Sequence, residues 1–213
     1  YKWCAIVARG ENAGAGGYSN TQALAFYTYD NAGASGGTEK LRITSKGLLL
    51  GGSDAQGNTT LGNNAGDSFS GTSALQNTLI GDEAGTAITS GDQSVALGFR
   101  ALKTLSSNGG CVAIGAYALE DNTAGGNIAI GYNSMKENAS GANNTAIGFD
   151  ALVNNTGNLN IAIGRDAMKA SNNSAGHDNV VLGAYAAYQA PHIYRNVIIG
   201  RSALSETSNT NGN

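Results

Sequence analysis

The sequence predicts an all-β protein: a parallel β-solenoid, or β-roll, of about nine rungs of 16–19 residues, preceded by a small β module. Three observations lead there. Nine glycines (Gly62, Gly81, Gly98, Gly115, Gly131, Gly148, Gly164, Gly183 and Gly200) recur 16 to 19 residues apart, each closing a short β-branched run. The clearest copies read NIAIGYNSM (127–135), NTAIGFDAL (144–152) and NIAIGRDAM (160–168). A repeat this short cannot enclose a core of its own, so its copies must stack on one another. Composition agrees: glycine takes 32 of 213 positions, proline one, and charged residues 13%, about half the usual share of charge. Collagen is excluded because no Gly-X-Y period exists. Disorder is excluded by 41% hydrophobic residues at a net charge of −3.

In chain order, residues 1–52 form the first unit. Segments 23–28 and 40–44 read as strands separated by NAGASGG, with 48–50 as a third. A small antiparallel cap built from them would protect the open end of the stack. GENAGAGG (10–17) lacks the lysine and the helix of a phosphate loop and is a plain loop. Residues 53–205 are the repeat shaft. Residues 206–213 read as a linker toward a further C-terminal region, the chain being the ordered piece of a longer polypeptide.

Each rung is best numbered from its glycine as position 0. Position −3 is β-branched in all nine copies (Thr, Val or Ile) and position −1 is always Ile or Leu. Two residues apart, they share one face of a strand, which is expected to point inward. On the opposite face stand Asn at −4, with Ser94 and Cys111 as exceptions, and Ala96, Ala113, Ala129, Ala146 and Ala162 at −2. Stacked asparagines suggest a hydrogen-bonded amide ladder, and alanine implies the close approach of another layer or chain. Glycine at position 0 implies a positive φ or a contact too tight for a Cβ. Beyond it, alanine at +3 (Ser134 once) and a frequent Leu or Met at +4 close the rung through a short strand or one helical turn. Turns follow at 138–141, 154–157 and 172–176. So few apolar side chains per rung make a lone roll marginal, and association of chains along the rod is the simplest remedy.

The charge balance gives no basic footprint for nucleic acid, and no run approaches the length of a membrane-spanning helix. No metal-ligand spacing or cofactor motif occurs, so no cofactor, metal or catalytic residue is assigned. Cys4 and Cys111 read as free thiols, Cys111 being a small residue in the Asn column. Asp150 and Asp166 share position +2 of adjacent rungs, where stacking would bring two carboxylates near a glycosidase separation. The plainer reading makes each a cap for its own turn, as for Asn64, Asn133 and Ser202. Asp82–Glu83 points two ways and is weaker. His177 and His192 lie in variable loops without partners at a telling spacing. Phe99, Tyr132 and Phe149 at +1, with Tyr117 and Tyr185 at +2, form either a receptor-contact stripe or packing between chains, and packing is preferred. The loops at 103–110, 169–178 and 187–195 are expected to project from the rod and to suit recognition.

The NTAIGxxAL-type copies resemble repeats of bacteriophage tail-fibre and tail-spike proteins over about residues 56–204. They are also similar to the head repeats of trimeric autotransporter adhesins, although these rungs are two or three residues longer and carry a large residue after the alanine. ALAFYTYDNAGASGGTEKLRITSKGLLLGG (23–52) is similar to segments that precede such repeats in phage fibres, and the phage reading is preferred for that reason. The resemblance implies an intertwined homotrimer and a structural role in a virion appendage, exposed at the extracellular surface. Its implied partners are other tail or fibre proteins and a host cell-surface glycan or protein receptor. The alternatives it carries are a polysaccharide-degrading tail spike and a bacterial surface adhesin head.

Overall fold

A computed structural model describes the strands within residues 3–50, together with residues 57–69, 73–154, 156–169, 176–190 and 192–205. The N-terminal part is an antiparallel meander of four strands in sequence order: β1 (Trp3–Gly10), β2 (Gln22–Tyr29), β3 (Thr38–Thr44) and β4 (Gly47–Leu50). The segments 23–28, 40–44 and 48–50 fall inside β2, β3 and β4. The sequence reading missed β1, which pairs with β2 from Trp3–Tyr29 to Gly10–Gln22. Most of GENAGAGG lies outside the described residues.

The repeats form a second sheet of nine parallel strands stacked in sequence order: β5 (Thr59–Leu61), β6 (Thr78–Ile80), β7 (Val95–Leu97), β8 (Val112–Ile114), β9 (Ile128–Ile130), β10 (Thr145–Ile147), β11 (Ile161–Ile163), β12 (Val180–Leu182) and β13 (Val197–Ile199). The stack is in register, Ala146 opposite Ala162 and Ile147 opposite Ile163, so each repeat position sits on the same position of the next rung. No helix occurs among the described residues. The fold is the parallel β-solenoid that the period predicts.

Both reasons offered for the glycine hold at once. The glycine column has φ between +123° and +142°. A Cβ on Gly115 would lie 2.5 Å from the carbonyl oxygen of Gly131 in the next rung. Stacking at one strand spacing of about 4.8 Å leaves no room for a methyl at this corner.

The segment after the glycine is neither strand nor helical turn. Positions +2 and +4 both have φ near +55°, as at Arg100 and Leu102, or Asp150 and Leu152. Alternating hand turns successive amides toward opposite neighbours. The Arg100 amide bonds the Asp82 carbonyl of the preceding rung at 2.9 Å, and the Leu102 amide bonds the Ala118 carbonyl of the following rung at 3.1 Å. A third positive-φ residue stands at −5 in every rung, among them Gln76, Gln93 and Asn143. Not one of these positions holds Val, Ile or Thr, for which positive φ is worst tolerated.

The structure reverses the expected inner face of the strand. Within one chain the −2 residues Leu79, Ala96, Ala113, Ala129, Ala146, Ala162 and Val181 are completely buried, and so are Asn77, Asn127, Asn144, Asn160 and Asn179 at −4. The aliphatics at −3 and −1 face out: Leu97 is 44% exposed, Ile147 36% and Ile163 38%. Volume decides this. The buried +3 and +4 residues, such as Ala101 with Leu102 and Ala151 with Leu152, fill the rung from its other wall, leaving space only for alanine at −2. Two internal exceptions show an exchange of volume, which the last rung, with Ile198 at −2 and Leu204 at +4, does not follow. Where −2 is the large Leu79, +4 is Gly85, and a Cβ there would meet the Leu79 methyls at 2.8 Å. Where −2 is Val181, +4 is Ala187.

The amide ladder is present over the whole stack. The backbone N–H of each −4 residue donates to the side chain one rung earlier: Asn77 to Asn58, Ser94 to Asn77, Asn144 to Asn127, Asn160 to Asn144, Asn179 to Asn160 and Asn196 to Asn179. Asn58, Asn77, Asn127, Asn144, Asn160 and Asn179 donate their Nδ2 to loop carbonyls of the next rung, as Asn144 does to Gly157 at 2.9 Å. Buried amides satisfied at both ends hold the loop side of each rung to its neighbour.

Four variants test these constraints by urea unfolding. Gly115→Ala combines strain with overpacking and is expected to cost about 2–5 kcal/mol. Gly200→Ala, whose Cβ would meet nothing nearer than Ala203 Cβ at 3.9 Å, is expected to cost about 1–2 kcal/mol from φ alone. Ala146→Leu should lose about 1–3 kcal/mol by overpacking against Leu152. Adding Leu152→Gly should recover most of that loss, since it recreates the Leu79–Gly85 pairing; no recovery would disprove the volume exchange.

Candidate functional site

What the solenoid leaves on its surface follows from what it cannot hold. The −3 and −1 columns make a mostly aliphatic stripe along the nine strands, interrupted at −3 by Thr59, Thr78 and Thr145. It spans roughly 40 Å along the stack by about 10 Å across. At about 400 Å², it falls within the range of the largest apolar patch on a typical monomer, about 300–600 Å².

Just past the glycine the sequence-predicted aromatics gather into one column, Phe99, Tyr132 and Phe149 from +1 and Tyr117 from +2. Phe99 and Tyr117 meet edge to face with centroids 5.2 Å apart, Tyr117 and Tyr132 at 5.7 Å, and Tyr132 stacks on Phe149 at 5.2 Å and 16°. Tyr132 and Phe149 are each 45% exposed. Tyr185 joins through Arg165, whose guanidinium lies 5.4 Å from the Phe149 ring and 5.9 Å from that of Tyr185. Successive rungs therefore occupy both faces of Phe149, the faces a sugar would need for stacking. The arrangement suits packing better than sugar recognition.

Asp150 and Asp166 are brought together by a lysine. Lys169 Nζ lies 2.6 Å from Asp150 Oδ2 and 3.1 Å from Asp166 Oδ1, and Arg165 Nε is 3.1 Å from Asp166 Oδ2. Asp150 Oδ1 is buried without a hydrogen-bond partner. Burial alone would lower the Lys169 pKa, but the hydrogen bonds and charges of the two aspartates outweigh it and hold the ammonium above its ordinary 10.5. The pair is thus a neutralised cross-rung tie. A second network runs over four rungs: Glu83 bonds Arg100 at 2.9 Å and Lys103 at 3.0 Å, and Glu120 bonds Arg100 at 3.7 Å and Lys136 at 3.6 Å. Sequence reasoning missed both ties. Their signal was available, since aligning the copies sets Glu83, Arg100, Asp150 and Asp166 at +2 beside Lys103, Glu120, Lys136 and Lys169 at +5.

The other candidates are quieter. His177 Nδ1 lies 2.8 Å from Asp178 Oδ2, its ring is tilted against Tyr194 at 4.7 Å, and His192 is exposed. Cys111 is a free, buried thiol. Burial raises its pKa, against the lowering effect of the Asn127 and Gly126 backbone and the Asn122 amide. The loop at 103–110 does not project freely: Leu105 is fully buried, and the Asn108 amide donates to the Thr123 carbonyl at 2.6 Å. The 187–195 loop likewise buries Ala187, Ala190 and Ile193. Much of 169–178 lies outside the described residues. No three His, Cys, Asp or Glu residues among those described are placed to hold a metal, and no described helix is long and apolar enough to cross a membrane. Comparison of the chain with protein-family models, curated proteins and solved structures finds no match.

The ion pairs set opposite pH limits. Lys169 has a raised pKa, so its stabilisation is complete below pH 10.5 and is lost as pH rises through the folded value. Lys169→Met should cost about 2–3 kcal/mol near neutrality, less than a fully buried pair. It should also abolish that alkaline step. Glu83 has a lowered pKa, chiefly through its hydrogen bond to Lys103, with burial opposing and the Arg100 and Lys103 charges assisting. Its contribution is complete above about pH 4.5 and fades as pH falls through the lower folded value. Thermal melts against pH should show a flatter acid limb in Glu83→Gln.

Proposed function

We propose that this chain is a structural segment of a phage tail fibre or related virion appendage, three copies sharing one axis. It carries elements for attachment to a host surface. The observation behind this reading is the aliphatic stripe. A partner must match an apolar surface repeating at one strand spacing over the length of the stack, and another copy of the same chain has that spacing by construction. Three copies that turn their stripes to a common axis remove all of them from water, which restores the hydrophobic term that each thin interior lacks. The inward face expected from the sequence then describes the assembly rather than the chain.

A rod of this kind works through stiffness and multivalency, since three weak sites on one shaft gain avidity without new contacts. Host glycan or protein receptors and neighbouring tail proteins are its proposed partners, and the virion its proposed location. The polysaccharide-degrading alternative draws no support from Asp150 and Asp166, which Lys169 ties together.

Light scattering after gel filtration tests the assembly. Three times the chain mass is expected for the parent, and Ile147→Asp with Ile163→Asp should lower it toward a single chain. A parent that stays monomeric at high concentration would overturn the reading.

A further inference from the structure

The stack ends on the outer edge of β13. Eight of the nine rungs bond their −3 amide to the −4 carbonyl of the following rung, from Thr59 to Asn77 at 2.7 Å through Val180 to Asn196 at 2.8 Å. The ninth −3 amide, that of Val197, has no such partner among the described residues. Val197 is also 65% exposed, where Ile128 and Ile161 of the same column are 38% and 39%. A second series runs the other way. In seven joints the −5 amide bonds the −6 carbonyl of the preceding rung, from Gln93 to Leu75 at 2.9 Å through Arg195 to His177 at 3.1 Å. The Tyr194 carbonyl stands next in that series. Among the described residues it accepts only from Asn196 Nδ2, at 3.1 Å. An edge with donors and acceptors at these places is a template for one more segment of the same kind.

The chain carries such a segment beyond the described residues, at 206–213. From +4 to the next −5 is eight positions in four rungs: Gly85 to Gln93, Leu102 to Gly110, Met135 to Asn143 and Ala187 to Arg195. Eight positions beyond Leu204 stands Gly212, and Asn213 follows it. Position −5 has φ between +54° and +73° in every rung and is glycine at Gly57, Gly110 and Gly126. Position −4 is the asparagine of the ladder. We infer that segment 206–213 docks on this edge as the run-up to a tenth rung, with Gly212 at −5 and Asn213 at −4. Gly212 N–H would donate to the Tyr194 carbonyl, and Val197 N–H to the Asn213 carbonyl. Asn213 would follow Asn196 in the amide ladder. In this placement 206–213 belongs to the shaft rather than to a linker beyond it, and covers the sheet edge as a terminal repeat closes a solenoid. The contact lies within one chain and does not depend on the shared stripe.

Residue-resolved hydrogen exchange on the full chain and two Gly212 variants tests this. In the parent the Val197 amide should be protected, as Val180 is one rung further in. Gly212→Val should speed Val197 exchange by about tenfold or more, because a β-branched residue resists positive φ and would lift the segment from the edge. Gly212→Asn should keep the protection, since −5 accommodates Asn143 at φ +56°. Unchanged exchange at Val180 shows that the shaft of each variant has folded. An unprotected Val197 amide in the parent would overturn the inference. Protection that survives Gly212→Val would overturn it too, since the edge would then be covered by something else, such as a second copy. Equal loss in both variants would also count against it, because the −5 register would then be wrong.

Discussion

Everything in the shaft depends on one distance, the approach of successive rungs at a single strand spacing. At the corner after each strand this approach leaves no space for a Cβ, so glycine recurs there with φ far into the positive region. The same approach places −4 side chains within reach of the amides of the next rung and lets asparagine serve as a clamp between layers. It also sets charges at +2 and +5 beside their counterparts one rung away. The period in the sequence is this distance repeated.

A second constraint follows from the first. Sixteen to nineteen residues that return to the same corner enclose a very thin interior. In the internal rungs its walls are alanine with leucine or methionine, leucine with glycine, or valine with alanine, so the pairing of −2 with +4 there conserves volume rather than residue type. Polar groups share this interior without penalty because their partners recur in register: the Asn122 carbonyl oxygen accepts from Asn127 at 3.0 Å and from Asn138 at 3.2 Å. Cohesion within one chain therefore leans on hydrogen bonds between rungs more than on apolar burial.

The stack, its strands and its turn glycines were legible in the sequence because each is a column property repeated nine times. The amide ladder was legible for the same reason. The inner face was not. Alternation says that −3 and −1 share a side, but only the volume on the opposite wall says which side is enclosed. The reciprocal sizes of Leu79 with Gly85 and Val181 with Ala187 held that answer. Reading β-branched residues as inward treated hydrophobicity as burial, a rule that holds for a chain folding alone. The absence of Val, Ile and Thr from +2 and +4 was likewise visible and would have argued against a short strand there. The tie of Asp150 and Asp166 through Lys169 needed the rungs aligned first, because its partners lie 16 and 19 residues apart or within one turn. β1 carries no repeat, and nothing in its eight residues marks its pairing with β2.

The reversed face connects the structure to the proposed assembly. A globular domain hides its largest aliphatics, whereas this solenoid, filled by its own alanines, leaves Ile and Leu at the outer wall of every rung. The rung too small to enclose its strand's larger side chains is the rung whose outer wall a neighbour would cover. In the proposed assembly, association is part of the fold's own energetics, in the way that the subunits of an obligate assembly complete one another's cores. A shaft assembled on such a seam gains length by adding rungs, each bringing its own glycine corner, its own clamp and its own share of the stripe, so that stiffness and cohesion grow together along the axis.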